Sequence, residues 1–566
     1  MKFLGSQLSY FFANRRTQTN IRKLLKFVLV LGLLFVTYGI LFHFVMAYEG
    51  RTDEVTWLSG FYWTLVTMST LGFGDIVFHS DLGRIFSMVV ILSGILFLLI
   101  MLPFTFIEFF YAPWMKAMNQ ARAPRALPPD TRDHVIITSL DAVTEALIHK
   151  LEAYKMPYVI LEQDLQQALD LSDLGYLVVN SEPDDPDTYK RLQIENAAMV
   201  VASGSDTINT NVTFTVREYN ADIPIVAMAA SPDSVDILKM AGASQVLQMG
   251  EMLGRSLARR TMGGNARVHV IGHIDQLVIG EATVQETPLV GKTLKESGLR
   301  EKIGVNVVGV WERGKFRQPR PDCLINSKTV LVLAGTVDQL RKYDEVLSIY
   351  HVSDQPVVII GAGRVGRAAA LSLEERQIDY RIIDKNPDRI RDSEKYILGD
   401  AADRKVLHEA GIENTHTALI TTHDDDINIY LTIYCRQLSP DMQIISRATF
   451  ERNINTLHRA GADFVMSYAS MGANSIFNIL ESQDVIMIAE GLNAFNRTVG
   501  RELDGKSLRE SDIRQKTGCS VIAIRTGGSL EVNPDPEEKL TFGEELIMIG
   551  PFEGESRFNA LYESES

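Results

Sequence analysis

The chain is poor in cysteine. Cys323, Cys435 and Cys519 are the only three in 566 residues, far apart and with no C-x-x-C pair. That argues against a disulfide scaffold and a structural zinc site, and it suits a reducing compartment. Positive charge is also scarce. Against 71 Asp and Glu stand 56 Lys and Arg, a net charge of −15. This argues against nucleic acid as the main partner and against a polybasic membrane-surface role. Length makes a single core untenable, so three or more domains are expected. Residues 1–130 are apolar and aromatic-rich, whereas the remainder reads as soluble α/β protein.

Two runs are almost free of charge. Phe27 to Tyr48 carries only His43, and Ile85 to Phe106 carries nothing ionised. Each is long enough for one membrane-spanning helix. Arg15, Arg16, Arg22, Lys23 and Lys26 precede the first run as they would in a signal peptide, but the run is too long for one and a second span follows. Between the runs Glu49, Asp53 and Glu54 outnumber Arg51, while Lys116, Arg122 and Arg125 follow the second. The positive-inside rule then gives a multi-pass cell-membrane protein with both termini cytoplasmic. No Arg-rich helix precedes the first span, so no voltage sensor is built in.

Trp57 to Ser69 reads as a short re-entrant helix, followed by Thr70-Leu71-Gly72-Phe73-Gly74-Asp75. Extended backbone at membrane depth survives only where it lines a cavity inside an assembly. A pore that strips water from a cation needs successive carbonyls aimed at one axis, and alternating glycines permit it. The segment resembles the selectivity filter of potassium channels. The resemblance implies rings of carbonyls from Thr70, Leu71, Gly72 and Phe73, K+ as the permeant ion, and Asp75 as an anion and hydrogen-bonding anchor at the mouth. Leu71 stands where Val is usual and Phe73 where Tyr is usual; Phe73 has no hydroxyl to donate behind the filter. In the second span, Gly94 offers either flexibility or close packing. Pro103 removes a backbone donor and should kink or interrupt the helix. Gly94 and Pro103 are the expected gating hinge.

Ala112 to Asp130, with prolines at 113, 124, 128 and 129, is the expected linker. Beyond it the chain repeats itself. His134-Val-Ile-Ile-Thr138 matches Val357-Val-Ile-Ile-Gly361, Ile194-Glu-Asn196 matches Ile412-Glu-Asn414, and Ala241-Gly-Ala243 matches Ala460-Gly-Ala462. Gly291-Lys-Thr-Leu-Lys-Glu-Ser297 matches Gly505-Lys-Ser-Leu-Arg-Glu-Ser511. Alternating strands and helices argue a doubly wound parallel sheet in each copy, followed by a smaller β-rich lobe. The arrangement resembles the RCK domain, the regulator of potassium conductance related to Trk-type nucleotide-binding subunits.

The expected fold is an α-helical membrane pore domain, with two spans plus a re-entrant pore helix and filter, followed by two α/β Rossmann-like RCK domains. Its divisions are a pore domain at 1–111, a linker at 112–131, a first Rossmann-like lobe at 132–262 with a C-terminal lobe at 263–352, and a second pair at 353–486 and 487–566. The resemblance implies a homotetramer in the lipid bilayer whose eight RCK domains form a gating ring that pulls on the inner helices, with Ala112–Asp130 as tether.

Gly361-Ala-Gly363-Arg364-Val365-Gly366 follows a strand and opens a helix, with Asp384 closing the next strand. Gly361 makes the turn, Gly363 admits a pyrophosphate, and Gly366 packs helix on sheet. The helix N-terminus offers amide donors, Arg364 is placed to meet a phosphate, and Asp384 would take ribose hydroxyls. Lys385 and Arg381 are near; by resemblance Asp400 lies on the adenine side. NAD(H), ADP or ATP is expected as a regulatory ligand. The first copy has Thr138-Ser-Leu-Asp141-Ala-Val143 in place of the glycine loop, and Asn180-Ser181 in place of Gly399-Asp400. With Asp141 where phosphate would sit, it should not bind a dinucleotide in the usual way. Divalent-cation regulation, by calcium, is implied by the family. Glu182/Asp184/Asp185/Asp187 and Asp424/Asp425/Asp426 supply clustered oxygens but read first as solvated loops, so the metal site is unknown.

Two other functions compete. A regulatory subunit of a separate transporter would not need its own filter. A membrane-tethered NAD-dependent oxidoreductase would need an acid–base group by the glycine loop; His408, His416 and His423 read as surface residues. No catalytic residue is expected.

Overall fold

The computed structural model describes residues 15–112, 114–115, 124–261, 268–284, 287–312, 315–327, 329–347, 355–391, 394–481, 485–489 and 492–562. Pro113, Lys116 and Arg122 of the expected linker lie outside them. The chain forms two compact units, residues 1–125 with 164–175, and residues 126–163 with 176–566.

The first unit is helical. Helix α1 (Arg15–Tyr48) is a 34-residue rod. Helix α2 (Trp57–Met68) starts at Thr56, whose Oγ1 accepts from Ser59 N while Thr56 N donates to Ser59 Oγ. Such reciprocal capping satisfies donors that a helix start leaves orphaned. Helix α3 (Asp81–Gly94) begins at Ser80. It passes directly into π turns over Ile95–Met101, helix α4 (Leu102–Phe106) and further π turns over Ile107–Tyr111. Phe42, Trp63, Phe78 and Phe86 interlock around one centre, with Trp63 and Phe86 stacked at 5.5 Å. Glu49, just past α1, accepts from His79 N at 3.0 Å, Ser80 N at 2.7 Å and Ser80 Oγ at 2.6 Å. One carboxylate thereby ties the end of the first span to the start of the second.

The second unit carries the repeats. In the first, β1 (Val135–Ile137), β2 (Tyr158–Glu162), β3 (Val178–Asn180), β4 (Met199–Ala202), β5 (Ile225–Met228) and β6 (Gln245–Leu247) form a parallel sheet in the order 3-2-1-4-5-6. Helix α5 (Ala142–Ala153) follows β1, α6 (Asp206–Tyr219) follows β4, and α7 (Met249–Arg259) closes the lobe. The C-terminal lobe is an antiparallel sheet of β7 (His269–Ile274), β8 (Leu277–Thr283), β9 (Asn306–Glu312), β10 (Lys315–Arg317) and β11 (Thr329–Gly335). The second repeat copies both. Strands β12 (Val357–Ile360), β13 (Tyr380–Asp384), β14 (Tyr396–Leu398), β15 (Thr417–Ile420), β16 (Gln443–Ala448) and β17 (Phe464–Ser467) run 14-13-12-15-16-17. Here α8 (Arg364–Glu375) follows β12, α9 (Asp425–Leu438) follows β15, and α10 (Tyr468–Leu480) follows β17. Then come β18 (Val485–Ala489), β19 (Leu492–Thr498), β20 (Ser520–Thr526), β21 (Ser529–Val532), β22 (Glu545–Gly550) and α11 (Phe552–Tyr562). The strand order reverses between β1 and β4, and between β12 and β15, which opens a crevice at the carboxyl ends of the strands.

The repeats are locked by exchange. Leu253, Leu257 and Ala258 of α7 complete the core over Val365, Ala369 and Leu373 of α8, so the last helix of one lobe covers the first helix of the other. The reciprocal pair is α10 on α5, where Tyr154 meets Phe477 at 4.9 Å. Between the C-terminal lobes the two sheets share one apolar layer, with Ile279, Val332 and Ala334 facing Ala494, Ile522 and Ile547. Equivalent arginines close it from both sides. Arg300 donates to Pro534 O at 3.0 Å and Arg514 to Pro319 O at 2.7 Å.

Candidate functional site

At the filter, Thr70, Gly72 and Gly74 have φ of +63°, +50° and +77°, while Leu71 and Phe73 between them do not have positive φ. Alternating handedness sets successive carbonyls on one side of a strand and the N–H groups on the other. Two glycines take this backbone without strain. Thr70 is β-branched and takes it at a steric cost. The segment hangs from the end of α2, with Thr70 N donating to Thr67 O at 3.0 Å and Leu71 N to Val66 O at 3.0 Å. Thr70 to Asp75 are all exposed on the single chain. Asp75 lies beside the Tyr62 side chain.

Behind the filter lies Gly94. A Cβ there would sit 2.3 Å from Met68 O and 2.5 Å from Met68 Cα, so Gly94 lets the second span touch the end of the pore helix backbone to backbone. Of the two readings open for this glycine, close packing describes its surroundings. Pro103 does not end the helix, although the α-helical register is interrupted on both sides of it. The helix meets the missing donor with π turns before and after α4, a register change that lets neighbouring groups take up the freed carbonyls.

The glycine loop of the second repeat sits at the carboxyl end of β12. Gly361 has φ of +107°, which favours glycine, and its N–H donates to Ile383 O at 2.8 Å. A Cβ on Gly366 would fall 1.8 Å from Gly361 O, so only glycine lets α8 start this close to the strand. Gly363 is the N-cap of α8 with no side-chain cap, and a Cβ on it would meet nothing within 4 Å. The helix start therefore presents uncapped N–H donors and the positive end of its dipole to open space. Val365 is buried beneath in the shared core.

Asp384 closes β13 almost fully buried. Its Oδ2 accepts from Ala362 N at 2.7 Å and pairs with Arg389 at 3.2 Å, and its Oδ1 accepts from Asn386 N at 2.8 Å. The carboxylate so holds the glycine loop in shape. Arg367 donates to Ala362 O at 2.8 Å, and burial together with the nearby Arg391 and Arg389 cations pushes its guanidinium below the usual arginine range. The glycine motif does not single out Arg367, Arg389 or Arg391; the run of basic residues after Asp384 signals Arg389 and Arg391, and nothing in the spacing signals Arg367. Asp400 is exposed beyond β14, accepting from Ala402 N, and Lys385 is exposed. Arg364 turns elsewhere: its guanidinium donates to Ala230 O of the first repeat at 3.1 Å. Arg381 is taken by Asp379 at 3.0 Å. Gly361, Gly363, Gly366 and Asp384 thus meet at the carboxyl ends of β12 and β13, Asp400 lies just past the end of β14, and Arg364 spans two repeats.

In the first repeat Asp141 is the N-cap of α5. Its Oδ1 accepts from Thr144 N at 2.8 Å while Asp141 N donates to Thr144 Oγ1 at 2.7 Å. The donors that α8 leaves free are here met from within. Asn180 donates to the carbonyls of Glu162 and Gln163, both at 2.9 Å. The acidic runs are also engaged. Asp185 caps a helix and pairs with Arg191, Asp187 pairs with Lys190, Asp424 caps α9, and Asp425 accepts from Thr449 N, Phe450 N and Asn453. Among the described residues no three His, Cys, Asp or Glu side chains are grouped to hold a metal ion.

Comparison with known proteins agrees with this geometry. Residues 24–111 match the ion-channel family model, 135–249 and 357–468 match the TrkA-N domain, and 279–348 and 494–562 match the TrkA-C domain. Potassium channel protein 1 of Methanocaldococcus jannaschii is 26% identical over 299 residues, covering 50% of this chain and 87% of that protein. Probable potassium channel protein 2 of the same organism is 30% identical over 214 residues, covering 34% and 62%. The solved structure of the GsuK channel bound to NAD is 36% identical, covers 96% of this chain and 99% of that one, and superposes with a TM-score of 0.58. A channel module carrying a potassium-type filter, followed by two TrkA-N and TrkA-C pairs, makes this chain a member of the two-span potassium channels with tandem RCK domains.

Proposed function

We propose that this potassium channel is gated by an adenine nucleotide of the NAD or ADP/ATP class, bound at the crevice from Gly361 to Asp400. The observation that carries the reading is the start of α8, uncapped and open at Gly363, beside its twin α5, which is capped by Asp141. That GsuK has been solved with NAD bound supports the ligand class. A ligand shifts closed and open populations only through its differential affinity for them. The lever proposed is α8 itself, because it is packed under α7 of the other repeat, so a phosphate at its N-terminus bears on the joint between the two RCK domains.

The working unit is proposed to be a homotetramer with both termini cytoplasmic and eight RCK domains in a gating ring. Two features support assembly. The filter side chains are exposed on one chain, and both repeats expose apolar residues at matching places: Ile208 and Phe214 on α6, Ile427, Tyr430 and Ile433 on α9. Unpartnered apolar surface of this kind marks association sites. A divalent cation is not assigned a place.

Single-channel recording of the purified protein in potassium-containing bilayers tests the proposal, with NAD, ADP or ATP added to the RCK side. The wild type should change its open probability. Gly363→Asp, which has room for its side chain and ordinary backbone angles (φ −67°), should conduct potassium but lose the response. Potassium currents indifferent to all three nucleotides in the wild type would reduce the glycine loop to architecture.

A further inference from the structure

The net charge of −15 conceals a segregation. From Met1 to Tyr48 there is no Asp or Glu, while Lys2, Arg15, Arg16, Arg22, Lys23 and Lys26 are all basic. Five of these cations fall on the first turns of α1, before its apolar stretch begins at Phe27. The stretch from Phe27 to Tyr48 rises about 33 Å at ~1.5 Å per residue, which by itself fills a hydrocarbon core of about 30 Å. The helix from Arg15 to Lys26 must therefore continue for roughly 18 Å into the headgroup layer and beyond.

Within that extension Arg22, Lys23 and Lys26 are exposed, and among the described residues none of the three is ion-paired. Leu25 beside them is 61% exposed. Apolar stems at the acyl boundary with cationic tips above them are how long basic side chains settle at an interface. Lys23 Nζ also lies 5.4 Å from the ring centroid of Phe109, in the π turns that end the second span. The cations are thus placed against both the leaflet and the end of the inner helix.

We infer that this end of α1 is a binding surface for anionic phospholipid headgroups, positioned to bear on the inner helix through Lys23 and Phe109. An anionic headgroup fits for three reasons: among the described residues Arg22, Lys23 and Lys26 are not ion-paired, the apolar span continues into them without a break, and no acidic side chain occurs from Met1 to Tyr48, which leaves Glu108 beside Phe109 as the carboxylate on the packed end of the second span. Surface attraction of juxtamembrane basic residues needs anionic lipid and is screened by salt.

The test uses the full-length channel purified in detergent and offered equal amounts of phosphatidylglycerol and phosphatidylcholine, with retained lipid identified by native mass spectrometry. The wild type should retain phosphatidylglycerol several-fold over phosphatidylcholine, and the preference should shrink as salt is raised. The triple variant Arg22→Gln, Lys23→Gln, Lys26→Gln should lose it. Should that variant fail to assemble, Arg22→Gln and Lys26→Gln taken singly should each lower it. Soluble glycerol phosphate in excess should not displace the lipid; displacement would assign the site to free phosphate instead. No preference in the wild type, or an undiminished preference in the variants, overturns the inference.

Discussion

Asp384 and Gly363 stand on opposite sides of one question, whether the crevice is held by its own bonds or shaped for a guest. Asp384 accepts from Ala362 N, Asn386 N and Arg389, so its removal leaves three donors short of a partner. Asp384→Ala should lose nucleotide response and also lower the stability of the loop, by about 1–3 kcal/mol for unsatisfied buried donors. Thermal unfolding of the variant without ligand checks the second half. Gly363 has no side-chain cap to lose, so Gly363→Asp should be as stable as wild type, or more so by about a few tenths of a kcal/mol from the added cap. If both variants unfold alike while neither responds, the glycine has a structural role as well. Thr70 belongs at this scale too. A left-handed β-branched residue runs against local preference, and nothing in the flanking letters announces it. Arg364 is likewise opaque in sequence, since a long side chain that reaches Ala230 and one that reaches a phosphate share the same spelling.

Among the elements, the joint between α7 and α8 is set by glycine. A Cβ on Gly254 would lie 2.4 Å from Val365 O and 2.8 Å from Ala369 N, and one on Gly250 would lie 3.0 Å from the Cβ of Arg364. Backbone cannot yield to a side chain as another side chain can. Gly254→Val should force the helices apart, costing about 1–3 kcal/mol for overpacking. Nucleotide should still bind, yet its effect on open probability should fall, which recording beside a binding assay would separate. The parallel sheets were legible from duplicated strings such as Val-Ile-Ile after His134 and Val357, and the C-terminal lobes from the Gly-Lys motifs at 291 and 505. The exchange of helices was not. Gly250-x-x-x-Gly254 looks like a weak spot in a helix until its partner backbone is seen. Asp141 was read through its charge alone, although Thr144 three residues on spells a reciprocal helix cap.

For the whole molecule, duplication has produced two lobes of one fold with different endings. Calorimetric titration of the assembled channel should give one nucleotide per chain, and two per chain would return the first lobe to the list of binders. On the proposed reading, the self-capped start of α5 limits how sharply the channel can read a nucleotide. Cooperative steepness cannot exceed the number of sites that the ligand occupies. In the proposed tetramer, a ring whose eight lobes all bound nucleotide could respond with a Hill coefficient approaching about eight; one in which only the second lobe of each chain binds is held to about four. On the proposed reading, a single carboxylate oxygen of Asp141 helps to decide whether the cell meets a near-threshold switch or a graded dial.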